Sequence, residues 1–252
     1  MKKNLLLLLT FLALNPINAQ LLWKISGNGL SKPSYLFGTH HLIDKAEIPY
    51  FDNILDYVKK VDAVAGELVI QNMLTQQMKL MKDATMKEST LHDLMTPQQY
   101  QFADSAMKIA TGLNLKPFDK MKPAFISTLH STMLYMKYFN VKKEPEAVDK
   151  IFQDEAKKLK KKIVGFETID EQINILFNSI SLREQTEMLL ETLKDTEKGV
   201  EMIKQLNEYY LAGDLDKMLK ISLEEDNTEA NARFMKLLLE NRNKKWIEKL
   251  RK

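Results

Sequence analysis

Apolar residues along the chain recur in two patterns, short runs that predict β-strands and longer stripes at helical spacing that predict α-helices. The runs Leu21 to Ile25 and Tyr35 to Phe37 are joined by glycine- and proline-containing turn sequence, which predicts a β-hairpin. Further strands are predicted at Ala63 to Val69 and at Lys162 to Phe166. Because helical sequence separates these later strands, their connections are crossovers, and at least part of the sheet should be parallel.

Most of the remaining chain has the spacing of amphipathic helices, and several helix ends carry capping residues. Thr96 before Pro97 is a predicted N-cap, and Gly112 ends the same helix. Thr168 and Glu171 have the spacing of a capping box. The predicted helices also include Phe51 to Lys60, a lysine-rich helix from about Pro145, a helix from Thr168 past Leu182, and one whose apolar face comprises Phe125, Leu129, Met133 and Met136.

Glycine and proline are scarce, with eight and seven residues respectively, and no low-complexity linker divides the chain. We therefore predict one helix-rich α/β (α+β) domain with a small mixed, partly parallel sheet. The chain has no cysteine, which excludes structural disulfides and thiolate metal ligands.

Residues 1–19 have the pattern of a secretory signal peptide. Two lysines precede an apolar run that is too short to cross a bilayer, and the segment ends at the small residue Ala19. We expect export to the periplasm or the extracellular space, and a soluble mature domain over residues 20–252. The 37 basic residues nearly balance the 34 acidic ones, and removing the leader brings the charge closer to neutral, which argues against nucleic acid or an anionic membrane as partner.

Three predicted strands end in the same way, with an apolar run, a glycine and then a polar side chain: His41, Glu67 or Glu167. If the strands are parallel neighbours, all three side chains emerge at the carboxyl edge of one sheet, where open α/β sheets place ligands. Imidazole and carboxylate groups are ligands for a divalent cation, and a free carboxylate serves as a general base. The alternative is structural: His41 as a hydrogen-bonded loop residue, and Glu167 as part of a helix start. His40 should face away from His41 if the strand continues.

Arg242 interrupts the apolar stripe of the last predicted helix, which otherwise contains Met235, Leu239, Trp246 and Leu250. One interpretation is a snorkelling arginine whose charged head reaches water. The other pairs Arg242 with Glu67 or Glu167, or directs it at an anionic intermediate. The remaining histidines, His92 and His130, are assigned no chemistry.

Several segments together resemble the TraB/GumN family, which includes the TIKI-type secreted metalloproteases. They are Trp23-Lys24-Ile25, Tyr35 to Leu42 with the motif Gly38-Thr39-His40-His41, Gly66-Glu67-Leu68, Gly165 to Thr168, Tyr210 to Asp214, and Arg242-Asn243-Lys244-Lys245-Trp246. The resemblance implies a helix-rich α/β fold in which two Gly-x-x-His motifs and a glutamate form a divalent metal site that hydrolyses peptide bonds. His41 corresponds to the histidine of the first motif.

The resemblance also implies a segment that this chain lacks. The second Gly-x-x-His motif would follow Trp246, and the chain ends at Lys252 without it, so we expect the domain to be C-terminally incomplete relative to the family. An uncovered apolar face near the carboxyl end would then be available to a partner or to a second copy of the chain.

Two hypotheses result. The first is an exported, metal-dependent hydrolase of peptides or proteins, with His41 and Glu67 at the metal and Glu67, Glu167 and Arg242 as catalytic groups. The second is a non-catalytic envelope protein that binds a partner and keeps the fold without turnover.

Overall fold

A computed structural model of the protein describes residues 21–224 and 229–250, so the predicted signal peptide lies outside the described residues. Within these ranges the chain forms four short strands and twelve α-helices. The strands are β1 Leu22–Ile25, β2 Ser34–Phe37, β3 Ala63–Gly66 and β4 Lys162–Gly165. The helices are α1 Phe51–Leu55, α2 Met73–Asp83, α3 Leu91–Leu94, α4 Pro97–Thr111, α5 Pro123–Tyr138, α6 Val148–Lys158, α7 Ile169–Asn178, α8 Leu182–Lys194, α9 Thr196–Ala212, α10 Leu215–Glu224, α11 Glu229–Met235 and α12 Arg242–Leu250. In the part of the chain that is described, no helix is long and apolar enough to cross a membrane.

The described strands form two separate sheets of two strands each. β1 and β2 are the predicted antiparallel hairpin, with Leu22 opposite Phe37. β3 and β4 are parallel neighbours, with Gly66 opposite Gly165, as their crossover connection requires. The predicted fold class is confirmed, but the strands do not join into the single mixed sheet that we expected.

β3 ends at Gly66 and not at the predicted Val69, because from Leu68 onward a side chain takes the place of the neighbouring strand. The buried amide of Gln153 on α6 donates to the Leu68 carbonyl at 2.7 Å and accepts from the Ile70 amide at 2.8 Å. A Cβ added at Gly66 would lie 2.9 Å from Gln153 Nε2. Glycine at this strand end therefore permits the close approach of α6.

Helix boundaries follow the capping residues closely. Thr96 caps α4, and Gly112 ends it with a φ of 78°. Thr168 and Glu171 form the predicted capping box of α7. The predicted continuation of this helix past Leu182 is wrong, because α7 ends at Asn178 and Ser181 caps a new helix, α8.

The larger core lies among the helices and includes buried side chains of α4, α5, α7 and α8. The buried positions of α5 include Ile126, His130 and Leu134, each one residue beyond a position of the predicted apolar face. A second core lies between the hairpin, α1, α6 and α9. It contains Ile43, Phe51, Val148 and Tyr210 and positions the loop that follows β2.

Candidate functional site

Glu67 and Glu167 leave the parallel sheet side by side. The pairing of β3 and β4 continues beyond their glycines, since the Phe166 amide donates to the Gly66 carbonyl at 2.9 Å and the Glu167 amide donates to the Glu67 carbonyl at 2.8 Å. The two carboxylates therefore share the carboxyl edge of one sheet, as predicted for these two strands.

One arginine binds both carboxylates. Arg242 Nε donates to Glu167 Oε1 at 2.7 Å, and Nη2 donates to Glu167 Oε2 at 2.9 Å and to Glu67 Oε2 at 2.7 Å. Trp246 Nε1 adds a hydrogen bond to Glu167 Oε1 at 3.0 Å, and Gln172 Nε2 donates to Glu67 Oε2 at 3.1 Å. The predicted pairing of Arg242 with these glutamates is confirmed.

The burial of the three charged side chains is unequal. Arg242 and Glu167 are 10% and 6% exposed, whereas Glu67 is 37% exposed. Arg242 is therefore not a snorkelling residue. Burial lowers the pKa of the Arg242 guanidinium, but hydrogen bonds to Glu167 and Glu67 offset that effect and the pKa is raised overall. Both hydrogen bonds that Glu67 accepts end on Oε2, so its Oε1 is used by neither.

A π-helical segment, Lys236–Asn241, sets the direction in which Arg242 points. This segment separates α11 from α12, and Arg242 Nη1 donates to the Leu238 carbonyl at 3.3 Å. The predicted stripe assumed uninterrupted α-helical spacing and is wrong across the π segment: Leu239 is 42% exposed, and Leu238 is half-buried instead. The extra residue in the π turn shifts the helical phase.

His41 lies at the end of the other sheet and contacts a residue that the sequence did not single out. Its Nδ1 is 3.5 Å from Asp149 Oδ2, and its side chain is 70% exposed. Thr39 Oγ1 donates to the other Asp149 oxygen, Oδ1, at 3.1 Å. Asp149 Oδ2 is buried and has no hydrogen-bond partner among the described residues. The expectation that His41 shares one sheet edge with Glu67 and Glu167 is thus wrong, because β2 pairs with β1.

Helix α6 nevertheless brings the two groups of residues to the same end of the fold. A short connection joins α6 to β4, and α6 packs on both β3 and β4, so its first turn lies toward their carboxyl ends. Asp149 is in that first turn, and Gln153, one turn later, holds the Leu68 carbonyl next to Glu67. No local sequence signal marks Asp149, since its proximity to His41 depends entirely on how α6 packs.

His40 and His41 contact different residues, although β2 ends at Phe37 and the strand alternation on which the prediction depended does not reach them. The ring of His40 lies 5.3 Å from that of Tyr210 and 5.9 Å from that of Tyr135, and its Nδ1 accepts from the Leu42 amide at 3.1 Å. Burial, together with the charge of His41, lowers the pKa of His40 to about 4. His40 also lines a cavity of about 410 Å³ together with hydroxyl-bearing residues of α5.

The described residues contain no group of three or more histidine, aspartate and glutamate side chains arranged to hold a metal ion. Glu67 is less suited than Asp149 to share a metal with His41, because its Oε2 binds the cationic Arg242 and it follows a strand of the other sheet. His41 and Asp149 do fit as two of the donors, since a buried carboxylate oxygen without a partner faces an accessible imidazole. Thr39 would orient that carboxylate from its other oxygen.

Among the comparisons with known proteins, the match is to a family model. The family model described as TraB/PrgY/gumN matches residues 21–252. No curated protein and no solved structure matches the chain.

Proposed function

Because the chain belongs to the TraB/PrgY/gumN family, we propose that it is an exported hydrolase of peptide bonds that uses a divalent cation held by His41 and Asp149. The observation that carries the proposal is the buried Asp149 Oδ2, which has no hydrogen-bond partner in the described chain and faces His41 Nδ1 at 3.5 Å. An unpartnered buried carboxylate oxygen is costly, and a bound cation would remove that cost.

Three residues prepare this position for a cation. Thr39 fixes Asp149 through Oδ1, which leaves Oδ2 directed at the imidazole. His41 is exposed, so both a cation and a substrate reach its ring from solvent. When bound, a divalent cation supplies Lewis-acid activation of a peptide carbonyl.

Glu67 is the proposed general base. It lies at the end of the fold where α6 presents Asp149, it is 37% exposed, and its Oε1 is not used by Arg242 or Gln172. Arg242 acts as a positioning residue, because it fixes the direction of Glu67 and neutralises Glu167 beside it. Glu167 is buried and fully engaged, so its proposed role is to hold the arginine and not to contact substrate.

Metal analysis of the purified mature protein tests the cation site. The variant His41→Ala should lose bound metal, whereas the control His92→Ala should retain it. His92 is a matched control because, like His41, it is exposed and lies close to a carboxylate, with Nδ1 2.8 Å from Asp119 Oδ1. Equal metal content in the wild type and in His41→Ala contradicts the assignment.

Hydrolysis of a peptide library tests the reaction. Glu67→Gln should reduce the rate by about a hundredfold or more, the usual contribution of a general base. Dialysis against a chelator should abolish the activity, and adding metal back should restore it. Hydrolysis that requires Glu67 but survives chelation contradicts the metal-dependent mechanism.

A second candidate function is a non-catalytic envelope protein that binds a partner. The observation that favours it is that Arg242, Trp246 and Gln172 together engage both oxygens of Glu167 and one oxygen of Glu67, which leaves only Glu67 Oε1 outside these hydrogen bonds. If metal-loaded protein hydrolyses no peptide in the library yet binds peptides, this second function replaces the first.

A further inference from the structure

A cleft lies between α7 and the C-terminal helix, beside Arg242 and Glu167. Its volume is about 370 Å³. Asn174 and Ile175 of α7 line one wall, and Lys244, Lys245 and Lys249 of α12 line the other. None of these residues belongs to the proposed cation site.

The acidic groups in this cleft are already engaged by other parts of the protein. Glu167 is bound by Arg242 in a two-point ion pair. Glu171 accepts from the Thr168 amide at 2.8 Å and from its hydroxyl at 3.2 Å. These hydrogen bonds, the backbone one foremost, lower the pKa of Glu171, and the charges of Lys249 and Lys245 contribute less. Both carboxylates are therefore fixed in structural roles.

The lysines are less constrained. In the described part of the chain Lys244, Lys245 and Lys249 form no ion pair within 4.0 Å, although Lys249 donates to the Phe166 carbonyl. The cleft thus has an excess of positive charge that its own carboxylates do not balance. Concentrated positive charge in a concave surface attracts an anionic ligand.

The rest of the lining favours a peptide over a bare inorganic ion. The side-chain amides of Asn174 and Asn241 offer donors and acceptors that suit a peptide backbone, and Ile175 and Leu237 provide apolar contact. Two residues of the lining pack against Trp246: the Phe166 and Trp246 rings stack at 5.5 Å, and the guanidinium of Arg242 lies 4.8 Å from the Trp246 ring.

We propose that the cleft between α7 and α12 binds an acidic peptide segment, whose carboxylates pair with Lys244 and Lys245. This inference rests on the proposed function, because the choice of a peptide as the ligand follows from the proposed hydrolysis of peptide bonds. It adds a preference for acidic sequences, recognised outside the cation site.

Direct binding of a fluorescein-labelled glutamate-containing peptide, followed by anisotropy, tests the proposal. The mature wild-type protein should bind it, and should bind the same peptide with glutamine in place of glutamate at least tenfold more weakly. Lys244→Gln/Lys245→Gln should weaken binding of the acidic peptide about tenfold, as expected for the loss of two solvent-accessible ion pairs. The control Lys142→Gln/Lys143→Gln removes the same charge from an exposed loop and should leave the affinity unchanged.

Several outcomes would overturn the proposal. Equal affinity for the acidic and glutamine peptides would do so, as would equal loss in both lysine double variants, which would indicate an effect of net charge. Complete displacement of the peptide by millimolar phosphate or succinate would indicate a site for small anions, and tighter binding of a single-stranded oligonucleotide would indicate a nucleic-acid surface.

The assay separates this inference from the proposed function, because binding is measured in the presence of a chelator. Acidic-peptide binding, together with no hydrolysis of any peptide by the metal-loaded protein, supports the cleft and contradicts the hydrolase. Hydrolysis of neutral peptides without preferential binding of acidic ones supports the hydrolase and contradicts the cleft.

Discussion

The guanidinium of Arg242 and the carboxylate of Glu167 form a two-point ion pair that is almost completely removed from solvent. Nε lies 2.7 Å from Oε1 and Nη2 lies 2.9 Å from Oε2, and the side chains are 10% and 6% exposed. The same Nη2 reaches Glu67 on the adjacent strand end. This contact ties the last helix to the parallel strands, so the stability of the carboxyl-terminal segment depends on it.

Replacement of Arg242 by methionine should destabilise the protein by about 3 to 5 kcal/mol, because it leaves the Glu167 carboxylate buried without a counter-ion. Urea unfolding of the mature protein measures this loss. The control Arg183→Met removes an arginine that is 85% exposed and 3.8 Å from its partner Glu187, and should cost less than about 1 kcal/mol.

The double variant Arg242→Met/Glu167→Gln checks the physical cause. It should recover a large part of the lost stability, because no uncompensated charge remains buried. If the double variant is as unstable as the sum of the two single variants, the loss arises from packing and not from the buried charge.

Replacement of Trp246 by phenylalanine should cost about 1.5 to 3 kcal/mol, the usual contribution of a hydrogen bond to a charged group. The substitution removes the 3.0 Å bond from Nε1 to Glu167 and keeps the ring that stacks on Phe166. Trp23→Phe is the matched control, since Trp23 is 54% exposed. Similar unfolding midpoints for the wild type and Trp246→Phe would contradict the importance of this bond.

Alanine should have opposite effects at two glycines. At Gly66 the new Cβ would lie 2.9 Å from Gln153 Nε2 and would displace an amide that holds Leu68 and Ile70, so we expect a loss of about 1 to 3 kcal/mol. At Gly199, within α9, an added Cβ would meet no heavy atom within 4 Å apart from its chain neighbours and the backbone of its own helix, and alanine should stabilise the helix by about 0.5 to 1 kcal/mol. Thermal unfolding should show a lower midpoint for Gly66→Ala and a higher midpoint for Gly199→Ala than for the wild type. A higher midpoint for Gly66→Ala would contradict the close approach of α6.

Acid should weaken the fold through His40 and His130. The pKa of His40 is lowered from 6.5 to about 4, chiefly by burial, and burial also lowers the pKa of His130, whose ring nitrogens have no partner in the described chain. Because the unfolded state binds more protons in this range, stability falls as the pH drops from 6.5 toward 4, by at most about 3 kcal/mol for His40.

Urea unfolding at about pH 7 and about pH 5 tests this dependence. His40→Asn keeps an acceptor for the Leu42 amide but does not titrate, so it should show a smaller difference between the two pH values than the wild type. His92→Asn, at an exposed position, should match the wild type. An unchanged pH dependence in His40→Asn would show that His40 does not protonate on unfolding.

Features that depend on nearby residues were predicted well from the sequence. The hairpin, the caps of α4 and α7, and the strands that begin at Ala63 and Lys162 all follow from residues within a few positions of one another, whereas the end of β3 at Gly66 depends on the distant Gln153. The helix from Thr168 was predicted too long because the Ser181 cap was overlooked. Short-range rules identify such features because capping and turn formation need no distant partner.

The candidate site was predicted only in part. The carboxylates at the strand ends and the arginine on an apolar helix face indicated the Glu67, Glu167 and Arg242 group, because a buried charge requires an opposite charge. The contact between His41 and Asp149 was missed, since nothing near Asp149 in the chain distinguishes it from other aspartates at the start of a helix. The buried position of His130 was missed as well, because the apolar face of α5 is offset by one residue.

The sequence by itself determined which segments are helix or strand, that at least part of the sheet is parallel, and which charged residues need a partner inside the protein. Only the tertiary structure decided that the strands divide into two sheets, that a π turn directs Arg242 at both glutamates, and that α6 presents Asp149 to His41. The reason is the range of the forces involved. Helix and turn formation are governed by neighbours in the chain, whereas the meeting of distant side chains depends on how complete helices pack, which no local pattern encodes.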